Sequence, residues 1–198
     1  MDASIRPARR DELDAVSALI ARSFHAEPFM AWVSGGDQRR LARFAALAVH
    51  RVADEVMVDD ELATAALIVR PGGLDVPPVE QLRMLPALAR SAGLHRLPAV
   101  LRALIRLEGA HPGEPHATLI ALGVEPGEQA QGRGSAMLAA VERHVGVPVY
   151  LETGSAPVRE GCRRRGYGVH AELRLPGGGP RMWTMIGPTH LQAAGAVA

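Results

Sequence analysis

The spacing of apolar residues changes along the chain, and each change marks an element. A short extended stretch over residues 3–7 ends at Pro7. Asp11-Glu12 then open an amphipathic helix in which Leu13, Val16, Ala18, Leu19 and Ile20 recur on or near one inner face. A turn, Phe24-His25-Ala26-Glu27-Pro28-Phe29, leads to Trp32, and a second helix is expected from about Asp37 to Arg51. Residues 55–59 and 62–70 read as strands around an Asp59-Asp60-Glu61 turn, a hairpin signal, and Pro71-Gly72-Gly73 stops the second strand. Residues 79–108 return to the helical period as two helices broken near Ala92-Gly93 and bounded by Pro77-Pro78 and Pro112. In the second, Leu97, Val100, Leu101, Leu104 and Ile105 recur at helical spacing, with Arg102 and Arg106 opposite. That is the pattern of a helical hairpin covering a sheet.

From His116 to Val124 the period is two, with Thr118, Ile120, Leu122 and Val124 pointing one way. A Gly-containing turn leads to a helix whose Leu138, Val141 and Val145 face inward. Val147–Leu151 is a strand, 156–165 a short Arg-rich helix, and Gly168–Leu175 with Arg181–Ile186 a hairpin around Pro176-Gly177-Gly178-Gly179-Pro180. Antiparallel hairpins early and late, with a strand-loop-helix-strand unit between them, predict an α+β or mixed α/β sheet. At 198 residues the chain suits a single domain over 1–190, with a flexible tail at 191–198.

Composition removes several function classes. A net charge of +1 is not that of a nucleic-acid-binding domain. All 22 basic residues are arginine, so no lysine can act as a nucleophile or form a Schiff base. Cys162 is the single cysteine; no internal disulfide forms and no Cys/His cluster has zinc spacing, so no metal is expected. No window is apolar for ~18 residues, and the first residues lack an apolar signal core. No stable membrane association and a cytoplasmic location are expected.

The stretch that carries chemistry is Leu122-Gly-Val-Glu-Pro-Gly-Glu-Gln-Ala-Gln-Gly-Arg-Gly-Ser135, between a strand and a helix. Gly132 and Gly134 stand where the chain turns into the helix, and glycine lets an anion approach the backbone. The first helical turn offers unpaired N–H groups and the positive end of the dipole, a place for a pyrophosphate. Ser135 adds a hydroxyl and Arg133 a positive charge. A Walker loop is excluded for want of lysine, and the spacing departs from the three-glycine dinucleotide pattern.

The full pattern resembles the coenzyme motif of the GNAT (GCN5-related N-acetyltransferase) superfamily, Gln/Arg-x-x-Gly-x-Gly/Ala. Gln129, Gly132 and Gly134 match it, after the Leu122-to-Pro126 strand end. Ile5-Arg6-Pro7 with Asp11-Glu12-Leu13, Val149-Tyr150-Leu151-Glu152-Thr153 and Arg165-Gly166-Tyr167 look like further family segments. The likeness is continuous from His116 to Tyr167 and holds only in outline over residues 1–70. It implies a central, mostly antiparallel sheet splayed between the fourth and fifth strands and flanked by helices, with 79–108 as a helical insertion. It also implies acetyl-CoA as cosubstrate. The backbone of Leu122, Gly123 and Val124 would pair with the pantetheine arm, and the N–H groups of Ala130, Gln131, Gly132, Arg133, Gly134 and Ser135 would hold the pyrophosphate.

The family's usual tyrosine acid, four residues before the Gly of the Gly-Phe/Tyr pair, falls on Cys162. The residue is read either as a substitute acid or as a small core residue. Transfer to an amine needs a base to remove the ammonium proton. Glu152 is the first candidate and His116 the second. The turn carrying Phe24, His25, Glu27, Phe29 and Trp32 corresponds to the family's acceptor-pocket lining, with core packing as the alternative for its aromatics. The leading expectation is an N-acetyltransferase acting on a primary amine of a small molecule, with no nucleic-acid partner and room for a homodimer. The alternatives are a catalytically weak CoA-binding sensor and an interaction protein that uses 79–108.

Overall fold

The computed structural model describes residues 4–73 and 78–188. Residue 3, Pro77 and the expected tail at 191–198 lie outside the described residues. Seven strands form one sheet in the order β1-β2-β3-β4-β5-β7-β6. They are β1 (Ile5–Pro7), β2 (Glu55–Asp59), β3 (Thr64–Val69), β4 (Ala117–Val124), β5 (Val149–Thr153), β6 (Gly168–Arg174) and β7 (Arg181–Ile186). Every neighbouring pair is antiparallel except β4 with β5. The helices are α1 (Leu13–Ser23), α2 (Pro28–Ser34), α3 (Gln38–Leu47), α4 (Pro78–Ala92), α5 (Leu97–Glu108), α6 (Arg133–Val145) and α7 (Ala156–Arg164). The mixed α/β architecture expected from the sequence is the one observed.

Several local readings are corrected. α2 starts inside the expected turn, because Pro28 suits a first helical position and Glu27 caps it by accepting the Met30 N–H. β3 begins at Thr64 rather than residue 62, since Leu62 turns with φ 54° and the Asp59 carboxylate takes the N–H groups of Ala63 and Thr64. Ala18 is exposed while Ser17 is buried, so the inner face of α1 is rotated from the one read off the sequence. Ile105 is likewise 69% exposed.

Between Leu67 and Ile68 the β3–β4 register steps from Ala121 to Leu119, leaving Ile120 as an extra residue on β4. This bulge breaks the alternation expected for Thr118, Ile120, Leu122 and Val124. Leu119 and Leu122 both pack in the cluster beneath α6, so Thr118 and Leu122 face opposite sides of the sheet. Pairing with β5 ends at Leu119–Leu151, immediately before the bulge. Beyond it β4 and β5 part, and the splay is open.

Three apolar clusters hold the molecule. One lies under α6 and includes Met137, Val141, Leu151 and Tyr167. A second packs α1 on β2, β3 and β4 through Val16, Leu19, Ile20, Val58 and Leu67. The third joins Phe29, Met30 and Leu41 of α2 and α3 to Leu88, Val100 and Leu107 of α4 and α5, and to Met182 of β7. The 79–108 segment therefore shares a core with α2, α3 and the β6–β7 hairpin. It does not simply cover the sheet. Among the described residues no helix is long and apolar enough to cross a membrane.

Candidate active site

The site is the mouth of the β4–β5 splay. On the β4 side, the Glu125 N–H is given to Ala63 O across the β3 edge. By strand alternation, the N–H groups of Leu122 and Val124 point the other way, into the splay. Gly123 is needed here because its α-carbon presses on α1: a Cβ would meet Ile20 Cδ1 at 2.9 Å and Ser23 Oγ at 3.0 Å. The Val124 carbonyl accepts from Ser23 Oγ at 2.8 Å and from Gln129 Nε2 at 3.1 Å, so Gln129 folds the loop back on the strand it leaves.

The loop enters α6 through Gly132, at φ 87°. Ala136 is the first amide of the helix with a carbonyl partner, Gly132 O. Among the described residues, the N–H groups of Gln131, Gly132, Arg133, Gly134 and Ser135 donate to no backbone carbonyl. They form an anion-ready terminus. Gly134 faces the end of β4; a Cβ there would lie 3.5 Å from both Leu122 Cδ2 and Val124 Cγ2. The Arg133 side chain adds nothing to an anion site. Its guanidinium pairs with Asp59 at 3.1 Å, Glu61 at 2.7 Å and Glu128 at 2.5 Å, tying the loop to the β2–β3 turn.

On the β5 side, Glu152 is the first residue beyond the last pair with β4. Its side chain is 23% exposed, and burial pushes its carboxyl up to about 7. Tyr150 Oη donates to Glu152 Oε1 at 3.1 Å. His111, from the loop after α5, stacks on the Tyr150 ring at 4.1 Å between centroids. The ring protons follow from the network. Glu114 O can only accept, so His116 Nδ1–H donates to it at 2.7 Å, which leaves His116 Nε2 as an acceptor. His111 Nδ1–H then donates to His116 Nε2 at 2.9 Å. The bare His111 Nε2 faces Glu152 Oε1 at 3.8 Å. Burial, with His116 and His170, holds the His111 pKa down to about 4. Sequence reasoning missed His111. Its one signal was the His-x4-His spacing with His116.

The other expected residues are distributed unevenly. His116 bonds His111, which in turn faces Glu152. Glu27 borders the mouth: its carboxylate caps α2 and takes the Gly154 N–H at 3.2 Å, fastening the α1–α2 turn to the end of β5. Burial raises its pKa, against those backbone bonds. His25 is exposed and Phe24 half-buried. Phe29 packs into the third cluster, edge-on to Phe44 at 6.5 Å. Trp32 lies under the β6–β7 turn, where a Cβ on Gly179 would come within 3.3 Å of its ring. Both aromatics pack against the third cluster, Phe29 buried and Trp32 partly so. Cys162 is buried in the cluster under α6, and burial pushes its thiol up. Among the described residues no group of three or more His, Cys, Asp or Glu could hold a metal.

No protein-family model matches the chain. Solved structures do. An acetyltransferase from Corynebacterium glutamicum described as histone acetyltransferase HPA2 and related acetyltransferase superposes with a TM-score of 0.69 at 20% identity, over 95% of this chain and 97% of that one. The Drosophila melanogaster polyamine N-acetyltransferase gives 0.62 at 18%, over 93% and 99%. A mosquito arylalkylamine N-acetyltransferase-like protein gives 0.60 at 16%, over 92% and 98%. The chain has the GNAT fold. In GNAT terms, its seven-stranded sheet carries the expected splay at the β4–β5 pair, and the strand-loop-helix unit from β4 to α6 lies on one flank of it.

Proposed function

We propose that this protein is an acyl-CoA-dependent N-acyltransferase that moves an acetyl group from acetyl-CoA to the primary amine of a small molecule, by direct attack. One observation carries the reading. Glu152, with its carboxyl held near neutrality, stands on β5 immediately beyond the last pair with β4, where the strands part. A carboxyl in that range is matched to taking a proton at neutral pH.

The residues present fit the cosubstrate. The unpaired amides from Gln131 to Ser135 suit a pyrophosphate, and the Leu122 and Val124 N–H groups suit an extended amide chain or a thioester oxygen. Acetyl-CoA supplies the activated acyl group. Glu152 removes a proton from the bound ammonium, and the neutral amine attacks the thioester carbon. The thiolate leaves without help from Cys162, which is buried in the cluster under α6. The fold likeness to enzymes described as acting on polyamines and arylalkylamines favours a small amine as acceptor.

The test is calorimetric titration with acetyl-CoA, followed by a CoA-release screen over primary amines. Saturable binding that Gly134→Trp abolishes, with release that Glu152→Gln abolishes, supports the reading. A folded wild type that binds no acetyl-CoA overturns it.

A further inference from the structure

We propose that His111 and His116 form a proton relay that carries the proton from Glu152 out to solvent. This inference rests on the acyltransferase reading and extends it to residues outside the reacting centre.

The geometry is a path of hydrogen bonds with one open step, between Glu152 and His111. Glu152 Oε1 faces His111 Nε2 at 3.8 Å, and His111 Nδ1 meets His116 Nε2 at 2.9 Å. His116 Nδ1 is held on Glu114 O at 2.7 Å. Both rings line a surface groove of about 440 Å³ that also takes in Arg70, Glu108 and Thr118. Glu152, 23% exposed at the splay mouth, does not line this groove, and the histidines link it to this second opening. The Tyr150 ring holds both imidazoles, at 4.1 and 5.3 Å between centroids.

The proton ledger balances. Each turnover delivers one proton to Glu152, which must be lost before the next amine binds. While Glu152 is ionised, two acceptors face each other across 3.8 Å with no proton between them. Once Glu152 is protonated, its O–H finds the His111 lone pair. His111 accepts at Nε2 and releases its Nδ1 proton to His116 Nε2. His116 then gives its Nδ1 proton to water or buffer in the groove; both rings are left protonated at Nε2, and exchange with groove water restores the Nδ1–H tautomers before the next turnover. The groups that set these steps are Tyr150 and Glu152 on β5, His170 on β6, and Glu114 with His116 in the loop before β4. His111, with its pKa held near 4, does not retain the proton between donor and exit.

The deciding experiment uses His116→Asn and His111→Asn in the full chain, with His116→Asn as the variant less exposed to folding defects because that ring is only half-buried. In weakly buffering medium both variants are expected to lose about tenfold or more in kcat, with KM for amine and acetyl-CoA unchanged. Added imidazole is expected to restore His116→Asn in proportion to its concentration. Full activity in both variants, or a loss that imidazole does not reverse, overturns the relay and leaves the acyltransferase reading standing. A wild type that releases no CoA with any amine removes both.

Discussion

A carboxyl that stays protonated up to about pH 7 weakens the fold that holds it. Glu152 titrates near 4.5 in the unfolded chain, so between 4.5 and 7 the native state binds more protons. Stability is therefore complete below the lower value, falls as pH rises through this window, and is level above it. The cost is at most about 3 kcal/mol. Glu152→Gln is expected to flatten the urea-midpoint difference between pH 5 and pH 8 while lowering kcat by about 10²–10⁴. A variant whose midpoint still falls over that range would assign the titration elsewhere. In the wild type, kcat/KM should rise toward a plateau with an apparent pKa near 7, and a profile flat from pH 5 to 9 would remove Glu152 as the base. Cys162→Ala should lose about 1 kcal/mol of stability through a small cavity and little turnover. Glu152 was legible in the sequence as a strand-end acid. His111 was not, because Tyr150 and Glu152, which it faces, lie on β5, about forty residues away along the chain.

At the scale of elements, the turn chemistry was legible and the bulge was not. Asp59-Asp60-Glu61, Gly132 before α6 and the Pro176–Pro180 turn each carry local signals that the structure matches, because they act within a few residues. The extra residue at Ile120 is defined only against the register of β3, which no local pattern reveals. Its removal is a direct test. Deleting Ile120 restores a regular β3–β4 ladder, keeps Leu119 and Leu122 on the α6 face, and removes the irregularity at the point where β4 leaves β5. The expected product is folded by circular dichroism but has lost acetyl-CoA binding by calorimetry. Retained affinity would separate the bulge from the splay. Gly134→Trp acts on the same place from the helix side: its ring would fill the space beside Leu122 and Val124, and a folded protein without coenzyme binding is expected.

For the whole molecule, the α4–α5 segment is structural as well as positional. The sequence marked its helices but presented it as an insertion, since its partners in α2, α3 and β7 are distant along the chain. Leu107, 4% exposed, closes the shared core one turn before the loop that carries His111. Leu107→Ala is expected to cost about 2–5 kcal/mol in denaturant unfolding, and a cost below 1 kcal/mol would show the segment to be peripheral. The three residue pairs from Ala117–Val149 to Leu119–Leu151 are the entire ladder joining the β1–β4 half of the sheet to the β5–β7 half. So short a junction makes a natural breathing line. Amides on both sides of it should exchange with deuterium faster than those of the β2–β3 or β6–β7 ladders. A ligand chain paired along the free edge of β4 would act as a suture, slowing exchange in both halves at once.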